Sequence, residues 1–160
     1  MRVRPIVIAS LSVLIAGCNG PSSLACTEIA AQSGIAVTVE RSAAATLTAL
    51  SIKACLGATC FEHPVVLSPG SDTVHQGCDG TGPDAPCSAT AVPNGTKVGF
   101  VEMLDLPEGP LAVSATETRG RRKEQLPAVT IVARTTYPNG VDCPGSGNQA
   151  PLTVTTEGLR

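Results

Sequence analysis

Aromatic side chains are almost missing from this chain. Among 160 residues only Phe61, Phe100 and Tyr137 carry a ring of this kind, and there is no Trp. Sugar sites stack on such rings, and interface hot spots favour Trp, Tyr and Arg. The composition therefore lowers the case for a carbohydrate-binding module. Charge is also scarce, at 15% of residues. No basic stripe exists that could neutralise phosphates, which excludes a nucleic-acid partner. Helix-favouring Lys, Glu and Gln are few, and no long helical period occurs. There is no H-E-x-x-H and no G-x-S-x-G. "CPGSGN" follows no strand that feeds a helix, so it is no phosphate cradle. The longest apolar run, residues 6–16, is half of what a spanning helix needs, about 20 residues.

That short run has a purpose of its own. Arg2 and Arg4 precede it, and small residues end it at "LIAGCNG". A positive start, an apolar middle and small residues at the end describe a secretory signal. Ile15-Ala16-Gly17-Cys18 resembles the bacterial lipobox. That resemblance implies a thioether-linked diacylglycerol on Cys18, fatty acylation such as palmitate, and cleavage just before it. Residues 1–17 are then a lipoprotein signal peptide and 18–25 a lipidated tether. Residues 26–160 form a single domain, large enough for one core. Without Arg2 and Arg4 the 11 basic residues fall to 9 against 13 acidic ones, about −4 in formal charge.

Of seven cysteines, removing Cys18 leaves an even set. An exported chain meets an oxidising compartment, so three disulfides are expected. Six cysteines admit fifteen pairings. Local spacing favours three of them. Cys55 and Cys60 bracket the turn "LGAT". Cys78 and Cys87 bracket "DGTGPDAP". Cys26 and Cys143 remain, one near each end of the domain. Zinc is the rival reading, but C-x4-C and C-x8-C are not paired C-x2-C knuckles. No metal and no cofactor is expected.

Apolar residues alternate with period two over several short stretches. Ile35, Val37 and Val39 share a face. So do Leu50, Ile52 and Ala54, with Leu47 out of phase, which suggests a bulge or a bend there. "CFEHPVVL" reads as a short return strand. "VGFVEMLDL" reads as a strand whose phase slips between Phe100 and Val101. Leu111, Val113 and Ala115 alternate cleanly, as do Val129, Ile131 and Ala133, and then Leu152 and Val154. "CTEIAAQ" has the length for one helical turn. Residues 69–97 are rich in Gly, Pro and Asp and lack any apolar period, so they read as one long loop. The pattern predicts an all-β fold: an immunoglobulin-like or prealbumin-like β-sandwich of about seven strands.

Few residues could carry chemistry. His63 and His75, with Glu62 and Asp72, could make a metal or acid–base site, but their neighbours lack ligand spacing. Asp79 and Asp84 are too few for a calcium loop. Arg119, Arg121, Arg122 and Lys123 read as a solvated hairpin turn, with anionic headgroups or wall polymers as the alternative contact. Asn94-Gly95-Thr96 fits a glycosylation sequon and reads as a turn. No catalytic residue is assigned. The expectation is a non-enzymatic binding or structural module, with a metal-assisted envelope hydrolase on His63 and His75 as the alternative.

Two stretches carry a wider resemblance. "CTEIAAQSGIAV" and "YPNGVDCPGSGNQAPLTVTTEGL" resemble a group of uncharacterised bacterial lipoproteins of high-GC, actinomycete-type bacteria. The resemblance implies export, lipidation and a small disulfide-bonded β-sandwich; it implies no activity. "LPEGPLAVSAT" also looks like a strand–turn–strand of prealbumin-like and carboxypeptidase-regulatory sandwiches. The expected location is the cell envelope, lipid-anchored to the outer face of the cell membrane or to an outer membrane. Membrane lipid, held through Cys18, is the expected partner, with an envelope protein or ligand as a second.

Overall fold

The computed structural model describes residues 25–160. The expected signal peptide, the expected lipidation site Cys18 and the expected tether up to residue 24 lie outside the described residues. The described chain is all-β. Its strands are β1 (Gly34–Val39), β2 (Leu47–Leu56), β3 (Thr59–Pro64), β4 (Ser68–Cys78), β5 (Cys87–Glu102), β6 (Gly109–Arg119), β7 (Arg122–Thr136) and β8 (Gly147–Val154). One helical turn, α1 (Arg41–Ala44), joins β1 to β2. No helix among the described residues is long and apolar enough to cross a membrane.

Eight strands follow one hydrogen-bonded order, β3-β2-β6-β7-β8-β1-β5-β4. All neighbours are antiparallel except β1 and β8. β7 holds the two ladders together: residues up to Ala133 pair with β6, and residues 134–136 pair with β8. The side chains read as inward from their alternation are buried, except Val129, which is half-buried against the core. Ile35, Ile52, Val113, Leu152 and Val154, drawn from both ladders, belong to one cluster. A flat sheet would leave that face wet. The sheet therefore folds over along β7 and closes on its own apolar face, which is what one-sided alternation demands. Each fully buried Val, Leu or Ile contributes about 1.5–3 kcal/mol.

Two irregularities in the ladders of β6 have local causes. The ladder between β2 and β6 shifts between Leu47 and Ala49, where the out-of-phase leucine placed a bulge. A second shift, between Val113 and Ala115, gives β7 one extra residue around Pro127. Proline has no N–H to offer the ladder, so it belongs at such a point. The slip expected between Phe100 and Val101 is absent: β1 and β5 stay in register from Gly34 to Val39. Gly99 simply faces inward where an apolar residue would be looked for. Phe100 faces outward and lies across Gly34, whose missing Cβ would sit 2.9 Å from the ring.

The largest correction concerns residues 69–97. They are not a loop. They form most of β4 and much of β5, with register shifts at Gly70 and Gln76, and only residues 79–86 lie outside a strand. This adds the eighth strand. From Ser71 to Pro93 every strand residue of the hairpin is exposed, on both faces, and only Ala85 in the tip is half-buried. With neither face buried, nothing imposes an apolar alternation, so the period that marks a strand is missing. "CTEIAAQ" likewise makes no helical turn; residues 25–33 run as an irregular strap, and the helical turn falls at α1 instead.

Three disulfides are present: Cys26–Cys143, Cys55–Cys60 and Cys78–Cys87. Cys55 lies directly opposite Cys60 in the β2–β3 ladder, and Cys78 opposite Cys87 in the β4–β5 ladder. β3 and β4 are the two edges of the sheet. Each edge strand is thus bonded covalently to its one neighbour, at the end of its hairpin.

Candidate functional site

The register divides the domain into two ends. Gly34 lies opposite Glu102, and the first residues of β8 lie beside Gly34. The β5–β6 turn, the β7–β8 loop and the strap of residues 25–33 therefore share one end. Val39 lies opposite Lys97. α1 and the β6–β7 turn share this second end, and the β4–β5 hairpin runs on beyond it as a free arm.

At the first end the strap is clamped to the β7–β8 loop. Cys26 is bonded to Cys143. The Asn139 side-chain amide donates to the carbonyls of Thr27 (3.1 Å) and Ile29 (2.6 Å) and also meets the Pro144 carbonyl. Its oxygen accepts from the Thr27 hydroxyl. Ala31 N–H donates to the Gly145 carbonyl at 2.8 Å. A Cβ on Gly145 would meet the Ile29 carbonyl oxygen at 2.7 Å, and one on Gly147 the Ala31 carbonyl oxygen at 2.4 Å. Gly145 also has φ +95, which L side chains rarely adopt. "PNGVDCPGSGN" is thus a clasp for the strap. "CTEIAAQSG" and "PNGVDCPGSGN" are the two halves of this one clasp.

Beside the clasp opens a shallow apolar groove of about 260 Å³. Leu56 and Phe61, from the β2–β3 hairpin, form one wall, and Met103, Leu104 and Leu106, from the β5–β6 turn, form the other. His63, Glu102 and Asp105 also line it. Sequence reading missed this groove. Its walls are 40 residues apart in the chain, and no local pattern joins them.

The arm lies at the far end. β5 runs from Glu102, opposite Gly34, to Cys87 at the arm tip, roughly 50 Å at about 3.3 Å per residue. Arm and groove divide the two histidines. His63 lines the groove, whereas His75 pairs with Ala89 in the arm, roughly 40 Å further along β5 from Glu102 by the same rise per residue. Metal–ligand bonds near 2 Å cannot link them, so no single metal can use both. No group of three metal-type ligands occurs among the described residues. Glu62 accepts from the Ser51 hydroxyl at 3.1 Å. Asp79 and Asp84 sit on the exposed tip. The Asn94 amide donates to Asp72 at 2.8 Å, and its oxygen accepts from Thr96 N–H and hydroxyl. The sequon lies within β5, not in a turn.

The basic hairpin is also less free than expected. Arg119 forms a two-pronged pair with the buried Glu117, Nε to Oε1 at 2.7 Å and Nη2 to Oε2 at 2.8 Å. Its Nη1 donates to the Ala43 carbonyl and to Thr46. Arg119 therefore ties α1 to β6 and is no solvated turn residue. The Glu117 hydrogen bond raises its pKa, against an opposing effect of burial. Arg122 pairs with Glu124 on the surface.

Comparison with protein-family models, curated proteins and solved structures found no match to the chain.

Proposed function

We propose that this chain is a membrane-anchored envelope lipoprotein, a non-enzymatic β-sandwich of immunoglobulin-like or prealbumin-like kind that presents its β4–β5 arm to a partner. The lipobox-like "LIAGC" supports the anchor. The one-sided core shared by two ladders supports the sandwich. The observation that carries the reading is polarity. The strap that leads back toward Cys18 is clamped at one end of the domain, and the arm leaves the other. A lipid at Cys18 would then hold the strap end down and lift the arm roughly 50 Å outward, at about 3.3 Å per residue. The arm offers unpaired strand edges, which partners can extend by adding a strand.

The test is site-specific photocrosslinking in intact cells. A crosslinker at Val74 or Val92, both exposed on the arm, is expected to trap a discrete envelope partner. One at Val132, exposed on the body, is expected to trap none. Equal trapping from all three positions, or trapping from Val132 alone, contradicts the arm as the binding element.

A further inference from the structure

We propose that the strap end of the domain rests on a zwitterionic bilayer surface, with Ile29, Phe61, Leu104, Tyr137 and Val141 as its contact side chains; this rests on the anchored reading above. Ten large apolar side chains are exposed among the described residues, and they are not spread evenly. The other five are all valines: Val66, Val74, Val92 and Val98 lie on the arm or away from that end, and Val132, opposite Pro110 near the start of β6, lies toward the strap end on the strand that leads to Tyr137. The five at the strap end include both exposed aromatics, the one exposed Leu and the one exposed Ile. Leu104 is 77% exposed and Val141 72%.

These side chains come from four separate segments: the strap, β3, the β5–β6 turn and the β7–β8 loop. No single strand's alternation brings them together. The fold collects them where the chain leaves toward Cys18. Cys26 is bonded there to Cys143, and seven residues, 19–25, separate it from Cys18. Even fully extended they reach only about 25 Å. A lipid on Cys18 would keep this end within reach of headgroups at all times. Tyr suits that depth, since its ring takes the apolar side of an interface and its hydroxyl the wet side.

Charge selects among bilayers. The strap, the β5–β6 turn and the β7–β8 loop carry Glu28, Asp105, Glu108 and Asp142 with no Lys or Arg, and at the strand ends beside them the exposed Glu102 adds a further carboxylate against the one exposed cation there, Arg134 opposite Gln149. Such an end is not drawn to an anionic surface, so its contact is apolar, with carboxylates left in headgroup water. The ammonium groups of zwitterionic lipids complement them.

The chain supplies its own probe. Tyr137 is its single tyrosine, and there is no Trp. The full chain is expressed, extracted as the processed protein and reconstituted into phosphatidylcholine vesicles, with or without lipid brominated at a shallow acyl position. Flotation reports the anchor, and Tyr137 emission reports the contact. The expected result is co-flotation with emission about twofold lower in brominated vesicles, as for an aromatic at the interface. The doubly substituted Leu104→Glu, Val141→Glu protein should float equally and lose the quenching; both sites are exposed, so the fold should tolerate it. Failure to float overturns the anchored reading itself. Flotation without quenching, or quenching unchanged in the double variant, overturns the bilayer contact alone. Tyr137 shielded from aqueous iodide yet unquenched by bromine would assign the surface to a protein, a second copy included, and also overturns it.

Discussion

The two halves of β5 are one strand under two regimes. Residues 97–102 run beside β1, and Val101 enters the core. Residues 87–93 pair only with β4 and bury neither face. In the body half, hydrophobic burial holds the ladder, and the hydrogen bonds follow. In the arm half there is no burial to speak of, and a two-stranded ribbon alone is marginal in water. What remains is covalent and local: Cys78–Cys87 at the tip, and the Asp72–Asn94–Thr96 bonds with Arg41 Nε donating to the Asn94 carbonyl at the root. The same backbone conformation is reached by two routes, so the two halves should fail under different insults.

The largest effect should come from the body's longest closure. Cys26–Cys143 spans 117 residues. Replacing both cysteines by Ser should cost about 5 kcal/mol on the chain-entropy argument, read as a shifted denaturant midpoint. A change below a kilocalorie would mean that the clasp of Asn139, Gly145 and Gly147 constrains the strap without the bridge. Next, Ile52→Ala, fully buried in β2, should cost about 4 kcal/mol through a cavity. Val74→Ala or Val92→Ala in the arm should stay within about 0.5 kcal/mol. Equal losses at core and arm positions would erase the distinction between the regimes. Third, Arg119→Ala should cost about 3 kcal/mol, because it leaves the Glu117 carboxylate buried and unpaired. Since the pair raises the Arg119 pKa, its stabilisation is complete below the unfolded guanidinium pKa and fades only above it. A thermal scan from neutral to mildly alkaline pH should therefore show the same deficit throughout.

How far the sequence could be read follows the same division. The body was legible wherever burial imposed a period: Ile35 to Val39, Leu50 to Ala54, Leu111 to Ala115 and Leu152 to Val154 face inward as their alternation requires. Leu47 announced its bulge by breaking phase. Residues 71–93 were illegible for the converse reason, because a strand exposed on both faces has no preferred side to write in its sequence. The Gly, Pro and Asp that suggested a loop are tolerated there because no core packs against them. Gly99 misled in the opposite way. It faces inward without being apolar, so a continuous register looked like a slip. The groove depends on Phe61 and Leu104 meeting across the fold, and Arg119 on reaching back to Ala43. Distances of this kind are set by tertiary closure, which no local window contains.

The smallest expected change in global stability separates the two halves most cleanly. Cys78–Cys87 encloses a short loop, so the chain-entropy argument gives it about 2–3 kcal/mol if the arm unfolds together with the body. The arm, however, shares no buried face with the core. Its opening need not disturb β1, which holds the other half of β5 in register. Replacing both cysteines by Ser should then leave the global denaturant midpoint almost where it was. The loss should show instead as local opening, which native-state amide exchange resolves into separate cooperative units. Amides of residues 71–77 and 88–92 should lose protection, while those of Val37, Ile52 and Leu152 keep theirs. If the core amides lose protection in step with the arm, β5 is a single cooperative unit and the arm is part of the body's folding. If neither region changes, the hydrogen bonds at the root hold the arm without its bridge. In that case the ribbon draws its order from Asn94 and Arg41 rather than from its tip.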